Sequence, residues 1–206
     1  MKERRALKEI IAVLRDLGFK ARHANLSRTV SDRLIHVITV QSGVRSREGQ
    51  FTIEMGILFP WVYKLEWDEE RPRYPSSPHC QFRSRLSDFM AQEDTWWDSE
   101  DPQTVSALSP VLRAEVPRYF TKWGDASAIL KNWKEGLVSG YGYHNRAIAA
   151  LLYDAGRKDE AEQLLIRAIR DCHGTRADPS VPLRFGRKLG LNLPELTDPI
   201  YRARGD

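Results

Sequence analysis

The chain has 206 residues, with 32 Lys and Arg against 28 Asp and Glu, a formal charge of +4. Apolar residues make up 41% and aromatics 10%, enough to bury a core without staples and too many for a disordered chain. The length suits one domain, or one domain with a helical extension, and no apolar run reaches the roughly 18 residues of a membrane span.

Two cysteines, Cys80 and Cys172, in a chain of this size read as reduced thiols rather than a structural disulfide. Met1-Lys2-Glu3-Arg4-Arg5 begins like a signal peptide, but Lys8, Glu9, Arg15 and Asp16 interrupt the apolar core such a peptide needs. A cytoplasmic protein with no membrane association is therefore expected. Charge is uneven: residues 1–47 hold 11 basic and 4 acidic side chains, and residues 48–156 hold 11 and 16. The basic groups are scattered, with no Lys/Arg run longer than two, which reads as a solvated surface rather than a nucleic-acid footprint.

The first predicted element is an amphipathic helix, with Leu7, Ile10, Ile11, Leu14 and Leu17 at helical spacing and Gly18 just past its end. Phe19 to Ala24 reads as a short strand. Leu34 to Gln41 is a β-branched run apolar on both faces, as an interior strand requires. Ser42 to Gly49 makes a turn, and Phe51 to Leu58 alternates, with Phe51, Ile53, Met55 and Ile57 on one face and Thr52, Glu54 and Gly56 on the other. These two runs form a β-hairpin with a longish loop. Residues 66–78 contain three prolines and predict an exposed loop. Cys80 to Leu86 predicts another strand, with Cys80, Phe82, Ser84 and Leu86 on one face and Gln81, Arg83 and Arg85 on the other.

Asp88 to Asp101 holds six acids and no Lys or Arg, with Trp96 and Trp97 in its middle. Asp101-Pro102 opens a helix buried through Val105, Leu108, Val111 and Leu112, which Pro117 is expected to end or kink. Shorter helices are predicted from Asp125 to Glu135, His144 to Ala155 and Asp159 to Asp171. A last one, from Val181 to Leu189, is capped by Ser180. The expected fold is α+β: an antiparallel sheet of about four strands packed by the N-terminal helix and the later helices. The expected division is 1–138 as the α+β domain and 139–206 as a helical extension.

Two resemblances bear on this. Gly156-Arg-Lys-Asp-Glu-Ala161, with Ala149 before it and Ala168 after it, resembles the turn and second helix of a tetratricopeptide repeat, in which small residues let two helices approach. Only one such unit is present, so it must pack on neighbouring helices. The second resemblance covers residues 1–135. It runs through the helix ending in Gly18-Phe19, the strand ending in Val40-Gln41, Phe51-Thr-Ile-Glu-Met-Gly56 and Cys80-Gln-Phe-Arg-Ser-Arg-Leu86. It continues through Trp96-Trp97 and the helix leading to Pro117-Arg-Tyr-Phe120. This order resembles an uncharacterised bacterial family, the domain-of-unknown-function family numbered forty-three zero four. The resemblance implies an α+β domain and carries no activity or catalytic residues.

Chemistry-bearing motifs are sparse. The five histidines show no metal-ligand spacing, His79-Cys80 lacks a Cys-x-x-Cys partner, and neither a nucleophile elbow nor a glycine-rich phosphate loop occurs. His173 beside Cys172 suits a helix C-terminus. No catalytic residue, metal site or cofactor is expected. Glu54, Arg83 and Arg85 share the polar face of the predicted sheet. One reading is a cross-strand ion pair, and the other is a carboxylate or phosphate site using the arginine forks. Of Trp96 and Trp97, one is expected to anchor the core and the other to lie nearer the surface among acids, where it suits a protein partner and repels nucleic acid. The sequence thus predicts a non-catalytic interaction module, immunity- or antitoxin-like in one version. The alternative is an enzyme or small-anion binder at Glu54, Arg83 and Arg85. The oligomeric state is not specified.

Overall fold

The computed structural model describes residues 5–135, 143–172 and 175–196. The chain separates into two compact units, one holding residues up to Tyr63 and Glu70–Ala128, the other holding Lys64–Glu69 and residues from Ile129 onward. The domain boundary expected at residues 138/139 lies outside the described residues, as do His173 and the side chain of His144.

The first unit opens with helix α1 (Arg5–Asp16), followed by strands β1 (Lys20–Arg22), β2 (Asn25–Ser31), β3 (Leu34–Ser42) and β4 (Gln50–Leu58). Helix α2 (Pro60–Trp67) crosses from the first unit into the second. Then come β5 (Phe82–Arg85), the single turn α3 (Leu86–Phe89), β6 (Trp97–Asp98) and the long helix α4 (Pro102–Trp123). The fold is α+β, with all pairings antiparallel in the order β1-β2-β3-β4-β5 and β6 pairing with the start of β4. Six strands therefore replace the expected four or so. β2 went unrecognised because Asn25-Leu-Ser-Arg-Thr-Val-Ser31 buries only Leu26, so it shows no apolar alternation. Its place in the sheet comes from ladder hydrogen bonds to both neighbours instead.

Register fixes two faces. His36, Ile38 and Val40 of β3 lie with Phe51, Ile53, Met55 and Ile57 of β4 on one face. All of these are buried, and each apolar one contributes about 1.5–3 kcal/mol of burial. α4 covers this face, its Tyr119 hydroxyl donating to the Met55 carbonyl at 3.4 Å and its Phe120 ring stacking on His36 at 4.2 Å. α1 packs against α4. Ile35, Val37 and Thr39 lie on the opposite face with Thr52, Glu54, Gly56 and Leu58. There Ile35, Val37, Leu58 and Tyr63 form a small core with Cys80 packed against it.

Three local expectations need correction. Pro117 neither ends nor breaks α4, which continues to Trp123 with Pro110 and Pro117 inside it. An internal proline costs about 3 kcal/mol, and here Val116, Tyr119 and Phe120 are buried around it, which offsets that cost. The buried stripe accordingly runs through Leu108, Leu112, Val116 and Phe120, leaving Val105 and Val111 half-buried. The stretch from 66 to 78 is not wholly an exposed loop: α2 reaches Trp67, and Pro75 and Ser77 are buried. Cys80 is not a strand residue facing the same way as Phe82. It ends a 3-10 turn (Ser77–His79), and its sulfur lies on the opposite face against Gly56.

In the second unit, α5 (Ala126–Lys134) lies mostly within it, followed by α6 (Tyr143–Asp154), α7 (Lys158–Arg170) and α8 (Ser180–Lys188). α6 and α7 pack against each other, and Ala149, Leu152, Ala161 and Leu165 on them are all fully buried. Gly156 makes the turn between them at φ 76°, a conformation that costs glycine little. Ser180 is the first residue of α8 rather than its cap: Pro179 holds the cap position, and Asp178 before it accepts from the Ser180 amide through Oδ1 at 2.8 Å.

Candidate functional site

Residues 74–80 lie along the face of the sheet not covered by α4 and act as a strap. Ser77 pins it: its amide donates to Thr39 Oγ1 at 2.8 Å, and its hydroxyl donates to the Glu54 carboxylate. Thr39 in turn donates to Asn25 Oδ1 at 3.2 Å. His79 fixes the strap's turn, its Nδ1 accepting from the Ser76 amide at 3.1 Å.

Glu54 and Arg85 stand opposite each other in the β4–β5 register, and Arg83 stands opposite Gly56. The three residues share one face, as their alternation predicts. Only Arg85 reaches Glu54, with Nε 3.9 Å from Oε1. Arg83 is exposed and forms no ion pair with it. The other end of the Arg85 guanidinium donates to Asp94, whose second oxygen accepts from the Trp96 indole at 3.1 Å. These two hydrogen bonds hold the Asp94 carboxyl below its ordinary range. The guanidinium carbons of Arg85 and Arg47 lie 5.5 and 5.6 Å from the Trp96 ring centre. A continuous polar chain thus runs from Asn25 through Thr39, Ser77, Glu54, Arg85 and Asp94 to Trp96.

Trp97 faces the other way. It pairs with Phe51 in the β4–β6 register and packs on that ring at 5.9 Å, which fixes its neighbour Trp96 outward. Both tryptophans are half-buried, Trp97 against the core ring of Phe51 and Trp96 beside Asp94. Sequence reasoning missed Ser77, Thr39, Asp94 and Arg47. Ser76-Ser77 sits among prolines that signalled only a loop, and its capping box with His79 was the readable clue.

The polar groups of this arrangement are already engaged with one another. Ser77 is fully buried and already engaged. Burial pushes the Cys80 thiol well above its ordinary range, so it stays protonated. Arg85 is shared between two carboxylates, so its fork is not open to a free anion. Among the described residues, no group of three His, Cys, Asp or Glu could hold a metal ion, and no helix is long and apolar enough to cross a membrane.

An α+β unit with one sheet face strapped by a polar chain and an outward tryptophan is the class the fold and site define. Residues 10–125 match the family Domain of unknown function (DUF4304), and the chain belongs to that family. Neither the curated proteins nor the solved structures yielded a match.

Proposed function

We propose that this protein is a non-catalytic interaction module that binds a protein partner through the surface centred on Trp96. The observation that supports this reading is the fixed indole: Asp94 holds its edge, and Arg47 and Arg85 lie against its ring. Tryptophan and arginine are the side chains most often responsible for binding energy at interfaces. Holding them in place before contact reduces the entropy lost on binding. Glu93, Asp98 and Glu100, close to Trp96 in sequence, are exposed and would repel nucleic-acid phosphates. The free thiols of Cys80 and Cys172 support an encounter in a reducing cytoplasm.

A narrower form of the proposal is a bacterial immunity or antitoxin-like protein. The α6–α7 pair, tetratricopeptide-like in its small residues, would then offer a further peptide-binding surface. A small-anion site at Glu54, Arg83 and Arg85 has less support, because Arg85 is engaged and Arg83 does not converge with it.

Affinity capture from the native host tests the proposal. The wild type and the surface control Ser106→Ala should retain the same stoichiometric protein, and Trp96→Ala should lose it about tenfold or more. Recovery of no stoichiometric protein, or equal retention by Trp96→Ala, would overturn the reading.

A further inference from the structure

Several arginines in this structure face a carboxylate: Arg85 meets Asp94, Arg113 meets Asp16, Arg118 meets Glu115 and Arg187 meets Glu195. Arg22 and Arg73 differ. Arg22 lies on the edge strand β1, its guanidinium carbon 4.1 Å from the centre of the Tyr74 ring and its Nη1 donating to the Tyr74 hydroxyl at 3.0 Å. Arg73 lies 5.3 Å from the same ring centre. Tyr74 belongs to the strap and is 41% exposed, one of few large hydrophobic side chains so open. Lys20 extends the positive charge along the same face of β1, two residues from Arg22. Among the described residues, no Asp or Glu comes within ion-pairing distance of Arg22, Arg73 or Lys20. An exposed ring therefore holds two cations that form no ion pair with any described acid.

The geometry favours one class of ligand. Arg22 lies 4.1 Å from the Tyr74 ring centre and competes with a nucleobase for that ring. The ring contact and the hydroxyl bond hold the guanidinium of an exposed residue in place. A fork held this way matches a carboxylate bidentately at little entropic cost. We propose that Arg22, Arg73 and Tyr74 form a docking site for an acidic segment of a protein partner, with Lys20 adding long-range attraction. The site stands apart from Trp96 in residues and in chemistry, so each can fail without the other.

Fluorescence anisotropy with a labelled ten-residue Glu/Asp peptide at low salt tests it directly, with a ten-residue Lys/Ser peptide and an oligothymidylate as comparison probes. The acidic peptide should bind and the Lys/Ser peptide should not, with affinity falling as salt rises. Arg22→Gln combined with Arg73→Gln should weaken binding about tenfold, because both forks are lost. Tyr74→Ala should weaken it severalfold, and Tyr74→Phe less, because the ring remains to hold the arginines. Arg83→Gln, an exposed arginine elsewhere on the sheet, should leave binding unchanged. All these positions are at least partly exposed, and circular dichroism of each variant checks folding. No binding of the acidic peptide overturns the proposal, as does equal weakening by Arg83→Gln or tighter binding of the oligothymidylate.

Discussion

Ser77 and Glu54, 23 positions apart in sequence, are joined by a hydrogen bond from the serine hydroxyl to the glutamate carboxylate, and this bond latches the strap to the centre of the sheet. Ser77 is fully buried and the Glu54 side chain is 15% exposed, so neither group has water as an easy substitute. Removing the hydroxyl leaves a largely buried carboxylate oxygen without its donor. Ser77→Ala should therefore destabilise the protein by about 1–3 kcal/mol. Glu54→Gln keeps an acceptor for Ser77 and loses only the ion pair with Arg85, so its effect should be smaller. Urea denaturation of both variants measures this, and a Ser77→Ala midpoint equal to wild type would contradict the latch.

His36 supplies a pH dependence whose sign can be worked out. Its Nε2 donates to the Gly124 carbonyl at 2.8 Å, so Nδ1 is left to accept from Arg28 Nη2 at 3.1 Å. Burial is the main cause that lowers its pKa below 6.5, the guanidinium of Arg28 lowers it further, and the Gly124 carbonyl and Asp125 oppose both. Above pH 6.5 the ring is neutral in both folded and unfolded chains and contributes no pH dependence. As the pH falls below that value, the unfolded chain takes up the proton first, and stability declines until the folded pKa is reached. Denaturation midpoints at about pH 7.5 and about pH 5 should differ in that direction, and His36→Gln should reduce the difference. An unchanged slope in His36→Gln would assign the acid sensitivity to other groups.

Gly56 is required by the thiol packed over it. A Cβ at that position would lie 2.6 Å from Cys80 Sγ and 2.9 Å from Cys80 Cβ. Gly56→Ala should cost about 1–3 kcal/mol through overpacking. Adding Cys80→Ala removes the sulfur, the nearer contact, but leaves Cβ at 2.9 Å, so the double variant should recover only part of the loss. A double-mutant cycle should give a coupling of at least about 0.5 kcal/mol, and strict additivity would contradict the contact. The same packing makes Cys80 slow to alkylate in the native state, with rapid labelling only after denaturation.

Much of this architecture is legible in the sequence wherever apolar periodicity is strong. α1, β3, β4 and the four last helices announce themselves through Leu, Ile, Val and Ala at helical or alternating spacing, with Asp101, Asp125 and Gly156 marking ends. β2 is silent because its residues are held by backbone pairing rather than by burial of side chains. α2 was missed although Pro60 stands at its first position, a readable signal overlooked beside bulky Trp61 and Tyr63. The common face of Glu54, Arg83 and Arg85 followed from alternation alone, because register in a sheet leaves a strand two choices. What alternation could not show is that Asp94 and Ser77, from segments of no regular pattern, would engage that face. Such pairings depend on where a loop crosses a sheet, which is set by tertiary packing.

The most direct test of the central claim places a photo-crosslinking amino acid at position 93, exposed and three residues from the retained Trp96, in the native host. Irradiation should give one discrete adduct with a protein partner from position 93 and none from position 106 on the exposed side of α4. No adduct from position 93, or the same adduct from both positions, would contradict the assignment of the Trp96 surface to protein recognition.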